Sequence, residues 1–162
     1  MNRHVAAALI TLASAAASGQ EPQADLVLPS RLGPLTRVGG INGPIVAFYV
    51  ELPAGPGQPI ATIYDRASGR TSAEDMAANE EPLRVLAGVT APGEALSSSA
   101  VCPDLIGRVD RGRLNGVDTI TASLFAVRNG RNIELRVTAP ATRGDDYIRV
   151  IVTAFRTEVL DC

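Results

Sequence analysis

The stretch NGVDTITASLFAVRNGRNIELRVTAP, residues 115–140, decides how this chain folds. Asn129-Gly130 in its middle is a favoured two-residue hairpin turn, because a type I′ turn needs positive φ at both central positions and Asn and Gly tolerate it. A two-residue loop fixes the register, so the cross-strand pairs can be written down. Ala126 falls opposite Ile133, Leu124 opposite Leu135, Ala122 opposite Val137 and Ile120 opposite Ala139, which makes one face wholly apolar. On the reverse face Thr121 meets Thr138, Ser123 meets Arg136 and Phe125 meets Glu134. A slip of one residue would send every side chain to the wrong side. Asn115-Gly116 offers a second turn. It pairs the strand around Val109 with the same stretch and sets Arg113 opposite Asp118, although Arg111 then faces the apolar side. Three consecutive antiparallel strands would form a meander.

On the C-terminal side, Asp145 and Asp146 begin a helix, where carboxylates suit the free amides and the positive dipole end. Ile148, Val152, Phe155 and Val159 recur at helical spacing, the stripe of a helix lying on a sheet. On the N-terminal side, Ile45 to Val50 reads as a strand with Val46, Phe48 and Val50 on one face and Ala47 and Tyr49 on the other. The Pro/Gly-rich stretch 53–59 breaks it, and Ile60 to Tyr64 resumes it, as in a hairpin with a long tip. Leu26 to Pro29 and Leu32-Gly33-Pro34-Leu35 read as packed lead-in pieces rather than regular structure. Thr71-Ser72-Ala73-Glu74 is a capping box. Its helix is expected to reach Asn79, with Pro82 starting a second turn whose stripe is Leu83, Val85, Leu86 and Val89. Ala91-Pro92-Gly93 ends that piece, and Ser97-Ser98-Ser99 is loop or edge. The expected fold is an α+β domain: an antiparallel sheet of about five strands with helices packed on it, and one disulfide.

The start of the chain points to export. Arg3 precedes an uncharged run from Val5 to Ala17, shorter than the ~20 apolar residues of a membrane span. Charge, short apolar centre and small residues are the order of a signal peptide, with cleavage after Ala17 or Gly19. Residues 1–19 are thus expected to be a signal peptide and 20–162 a single domain, periplasmic or secreted, with no transmembrane segment after cleavage. Cleavage removes Arg3 and His4, leaving 14 Arg against 17 Asp plus Glu, with no Lys, His or Trp. That balance lacks the basic field of a nucleic-acid binder. Cys102 and Cys162 are the two cysteines, and an even count in an exported chain favours a disulfide, the alternative being two free thiols.

The element order, with Leu28-Pro29, Leu32-Gly33-Pro34-Leu35 and Ala61-Thr62-Ile63-Tyr64-Asp65-Arg66, resembles small uncharacterised exported proteobacterial proteins and the PsbP-like α-β-α sandwich. Members of that fold are mostly extrinsic binding subunits, and the resemblance implies an exported domain of that fold.

The chemistry available is narrow. Without His or Lys, a Ser-His-Asp, Cys-His or Ser-Lys arrangement lacks its base. No metal-ligand set, P-loop or nucleophile elbow is legible, so no metal or cofactor is expected. Carboxylates alone remain, and the adjacent pairs Glu74/Asp75 and Asp145/Asp146 are explained by helix starts. A distant pair such as Asp65 with Glu51 is the route left to a small hydrolase. Arg108, Arg111 and Arg113 form a basic cluster that could grip an anionic ligand or a partner's carboxylates; the alternative is a charged strand edge protected against pairing. Phe125 and Tyr49 are candidates for an apolar contact surface, the alternative for Phe125 being burial under a helix. The expected function is a non-catalytic binding or accessory domain, its partner an envelope protein or an anionic ligand.

Overall fold

The computed structural model describes residues 26–40, 43–66, 69–86, 88–89, 93–96 and 101–162. The expected signal peptide and the serine run 97–99 lie outside the described residues. Eight strands form one antiparallel sheet: β1 (Arg31–Leu32), β2 (Leu35–Gly39), β3 (Ile45–Val50), β4 (Ile60–Arg66), β5 (Glu94–Leu96), β6 (Ile106–Leu114), β7 (Val117–Arg128) and β8 (Arg131–Pro140). Their order across the sheet is β1-β2-β3-β4-β8-β7-β6-β5. The expected α+β domain with about five strands is therefore corrected: among the described residues one eight-stranded sheet dominates, accompanied by two α-helices, α1 (Ser72–Leu86) and α2 (Asp145–Ala154). The extra strands are short and lie at the edges. Leu32 and Leu35 bury their side chains from a β1–β2 hairpin turning at Gly33-Pro34, where the sequence shows only punctuated apolar pieces.

The central hairpin has the expected register at every pair from Ile120↔Ala139 to Ala126↔Ile133. Asn129 and Gly130 both have positive φ, as do Asn115 and Gly116 at the turn between β6 and β7. Arg113 stands opposite Asp118 and Val109 opposite Ala122. β4 then joins the other side of β8, with Tyr64 opposite Glu134 and Thr62 opposite Arg136.

The two faces differ in chemistry. One carries Leu35, Ala47, Tyr49, Ile63, Leu124, Leu135 and Val137, and the C-terminal helix lies on it. Ile148, Phe155 and Val159 are buried there as the stripe requires, together with Ile151 and Leu160, while Val152 is only half-buried. The shift has a cause. From Phe155 to Val159 the helix widens into a π turn, in which the Leu160 N–H donates to the Phe155 carbonyl (3.1 Å), so Val159 and Leu160 both reach the core. Cys162 follows directly and is bonded to Cys102, with Cα atoms 5.5 Å apart. Asp145 and Asp146 open the helix, as expected, and their carboxylates accept from Arg111 and Arg149.

Helix α1 packs on the opposite face, over β6 and β7. Its capping box forms: the Thr71 N–H donates to Glu74 Oε2 (2.8 Å) and the Glu74 N–H to Thr71 Oγ1 (3.2 Å). The helix runs unbroken through Pro82 rather than restarting there, and Val85, expected in the apolar stripe, is exposed while Leu83 is buried. None of the described helices is long and apolar enough to cross a membrane.

Candidate functional site

Strand alternation sends the polar residues of four neighbouring strands to one side. Row by row from β4 through β8 and β7 to β6, that face reads Tyr64, Glu134, Phe125, Ile106; then Thr62, Arg136, Ser123, Arg108; then Ile60, Thr138, Thr121, Asp110. Glu134 is 2% exposed and is held from both sides, by Arg66 Nη2 and by Arg136 Nη2, each at 2.7 Å. Both guanidinium groups also lie against the Tyr64 ring, 5.2 and 5.0 Å from its centre. Two guanidinium groups on one carboxylate leave this cluster with a formal charge of +1. The Nε atoms of Arg66 and Arg136 are buried and find no acceptor among the described residues.

Helix α1 ties down one end of this face. Asn79 Oδ1 accepts from Arg66 Nη1 (3.1 Å), Asp75 Oδ2 from Asn132 Nδ2 (2.5 Å) and Glu80 Oε1 from Arg108 Nη1 (2.8 Å). Toward the other end lies a groove of about 610 Å³, between the β3–β4 loop at Pro56-Gly57-Gln58 and the β6–β7 turn. Its polar lining is Gln58, Thr62, Asn115, Thr119, Arg136 and Thr138, and its apolar lining includes Ile60, Leu114 and Val117, all three exposed. Thr138 shares a hydrogen bond with Thr121 (3.1 Å). Thr119 is only 6% exposed, and its hydroxyl has no partner among the described residues. A buried hydroxyl left unpaired costs roughly 1–3 kcal/mol, a cost that a ligand could offset.

The residues singled out from sequence are dispersed. Arg108 is on the polar face but is taken up by Asp110 (2.8 Å) and Glu80. Burial alone would lower its pKa, yet the hydrogen bonds with Asp110 and Glu80 hold it above the ordinary value. Odd-numbered positions of β6 point the other way. Arg111 binds both oxygens of Asp145 (2.6 and 2.8 Å) at the start of α2, which explains its place at the border of the apolar face. Arg113 reaches the Gly116 carbonyl (3.2 Å) and Asp118 (3.6 Å) at the exposed turn. The three arginines therefore do not make one cluster. Phe125, 3% exposed, and Tyr49, fully buried, lie on opposite faces of the sheet and form no common surface. The Tyr49 hydroxyl donates to the Pro29 carbonyl (3.0 Å), and burial raises its pKa.

The carboxylates open to acid–base work are each engaged by a separate arginine: Asp65 by Arg131, Glu51 by Arg143, Asp110 by Arg108 and Asp118 by Arg113. None of the grooves described here is lined by two of these four. A second groove, about 600 Å³, lies between α2 and the β5–β6 edge, floored by Leu96, Val109, Ile148 and Val152.

No family model matches the chain. No curated protein matches it either. The likeness that exists is to solved structures. A protein of unknown function, PA94 from Pseudomonas aeruginosa, superposes with a TM-score of 0.54 at 13% identity, over 77% of this chain and 96% of that one. LpqN of Mycobacterium tuberculosis, described as involved in cell envelope biogenesis, superposes with a TM-score of 0.46 at 17% identity, over 84% of this chain and 81% of that one. At such identity the first likeness speaks for the fold alone, and neither supplies the PsbP-like assignment.

Sequence reasoning missed Glu134, Arg66, Arg136 and Thr119 as a site. The signal was half present: the hairpin register already put Thr121, Thr138, Ser123, Arg136 and Glu134 on one face. The absent half was β4, which comes to β8 across a connection with no local turn to announce it.

Proposed function

We propose that the protein is a non-catalytic binding or accessory domain of the periplasm, taking its ligand in the groove on the polar face of the sheet. The observation that carries this reading is the unpaired Thr119 hydroxyl, buried in a groove between exposed apolar walls. Arginine capture of the acidic side chains speaks against carboxylate hydrolysis, because the lone pairs that would take a substrate proton face guanidinium groups. The export reading rests on the charged start and short apolar run of residues 1–17.

A thermal-shift screen of small molecules against the protein and its Val117→Asp variant tests the site. Ligands of the groove raise the melting temperature of the parent and not of the variant; hits that raise both equally would move the site elsewhere. For export, intact mass of the envelope-fraction protein is expected to place the first residue at Ser18 or Gln20. Recovery of the whole chain solely in the cytoplasm would contradict it.

A further inference from the structure

We infer that the ligand of this groove is an aliphatic monocarboxylate, its carboxylate on Arg136 and its hydrocarbon portion between Ile60, Leu114 and Val117. The inference rests on the groove being the binding site and deepens that reading. Three observations converge on it.

The first is charge. Arg136 lines the groove while its Nη2 holds Glu134, and its Nε–H finds no acceptor among the described residues. Together with Arg66, the cluster is one positive charge in excess of Glu134. A guanidinium with donors to spare recognises an oxyanion by charge-assisted hydrogen bonds.

The second is the donor set beside the charge. The Thr119 hydroxyl is buried and unpaired, and the Thr62 and Thr138 side chains line the same groove. Thr62 stands directly opposite Arg136, so its hydroxyl can donate to the second oxygen of a carboxylate held there; Thr119 lies two rows further along the face.

The third is the wall. Ile60, Leu114 and Val117 are exposed aliphatic side chains, 41%, 39% and 43% respectively, gathered on one groove. No aromatic residue among the described ones lines it, so a sugar ring or nucleobase has no stacking platform there. An alkyl chain needs none.

Isothermal titration with octanoate, hexanoate, n-octanol and octyl phosphate tests the assignment. The expected result is one site for octanoate, with hexanoate weaker by up to about fourfold per methylene removed. Octanol is expected to bind at least about tenfold more weakly, the worth of a hydrogen bond to a charged group. Arg136→Gln leaves the Arg66–Glu134 pair in place and is expected to erase the preference for octanoate over octanol, while Val117→Asp weakens both. Equal affinity for octanol and octanoate, both lost in Val117→Asp, would overturn the carboxylate and leave the groove standing. Octyl phosphate binding tenfold tighter than octanoate would overturn it in favour of a dianion. Binding of no probe, or binding indifferent to Val117→Asp, would overturn the groove and this inference with it.

Discussion

The two faces of the sheet are built from the same strands and solve opposite problems. On the face under α2, Ala122, Leu124, Leu135 and Val137 meet Ile148, Ile151 and Phe155, a dry contact whose value is the apolar area removed from water. On the other face the adjoining positions are Thr121, Ser123, Glu134 and Arg136, and burial there is offset by pairing: Glu134 by two arginines, Asp75 by Asn132. Side-chain direction alternates along a strand, so one hairpin can contribute to both. The difference teaches where to look for function. The apolar face meets its own helix over β7 and β8 and opens at the β5–β6 edge on a groove floored by apolar side chains, whereas the polar face, partly covered by α1, holds a buried hydroxyl with no partner among the described residues.

That contrast can be broken by substitution, and the largest effect belongs to the dry face. Phe155→Ala removes a fully buried ring from the π turn and is expected to destabilise the protein by about 3–5 kcal/mol in chemical denaturation. Reduction of Cys102–Cys162 comes next. Its sequence separation of 60 gives a chain-entropy contribution of up to about 4 kcal/mol, less where the unfolded chain keeps residual structure. Hydrogen exchange is expected to accelerate first from Thr157 to Cys162; unchanged melting on reduction would show the bond to be idle. On the polar face, Glu134→Gln leaves two arginines without their carboxylate and is expected to cost about 2–3 kcal/mol, below the ~3–5 of a dry pair because both guanidinium groups reach water. A loss equal to that of Phe155→Ala would erase the distinction between the faces.

A smaller effect appears in alkali. Burial, and after it the Glu51 carboxylate, push the Tyr147 hydroxyl up to about 12, against the opposing charge of Arg143. A folded pKa above the unfolded value of 10 means that the folded state holds the proton more tightly. Its contribution is complete below pH 10 and is lost as pH rises from there through about 12. Tyr147→Phe is expected to flatten that part of the stability profile, followed by denaturant midpoints at each pH.

What was legible in the sequence was whatever a local signal fixes. Asn129-Gly130 and Asn115-Gly116 set the registers of β7 with β8 and of β6 with β7, and alternation did the rest. Thr71 and Glu74 announced the start of α1. The π turn was not legible, since Phe155 to Val159 carries an ordinary helical stripe and the widening answers to the core and to Cys162. Nor were β1 and β2, whose few residues are interrupted by Gly33 and Pro34. The binding candidates sit apart for a related reason. Arg108, Arg111 and Arg113 are neighbours in sequence, but odd and even positions of a strand face apart, and each found a nearby acid. Arg66 and Arg136 are 70 positions apart by number and meet on Glu134 because β4 lies beside β8.

The central claim is that the polar face binds and the apolar face only holds the fold. Methyl NMR on threonine-, isoleucine- and valine-labelled protein, titrated with octanoate, tests it most directly. The account predicts progressive shifts at Thr62, Thr119, Thr138, Ile60 and Val117, with Ile151, Ile63 and Val137 unmoved. Shifts concentrated at Ile148 and Val152, in the groove between α2 and the β5–β6 edge, would contradict it.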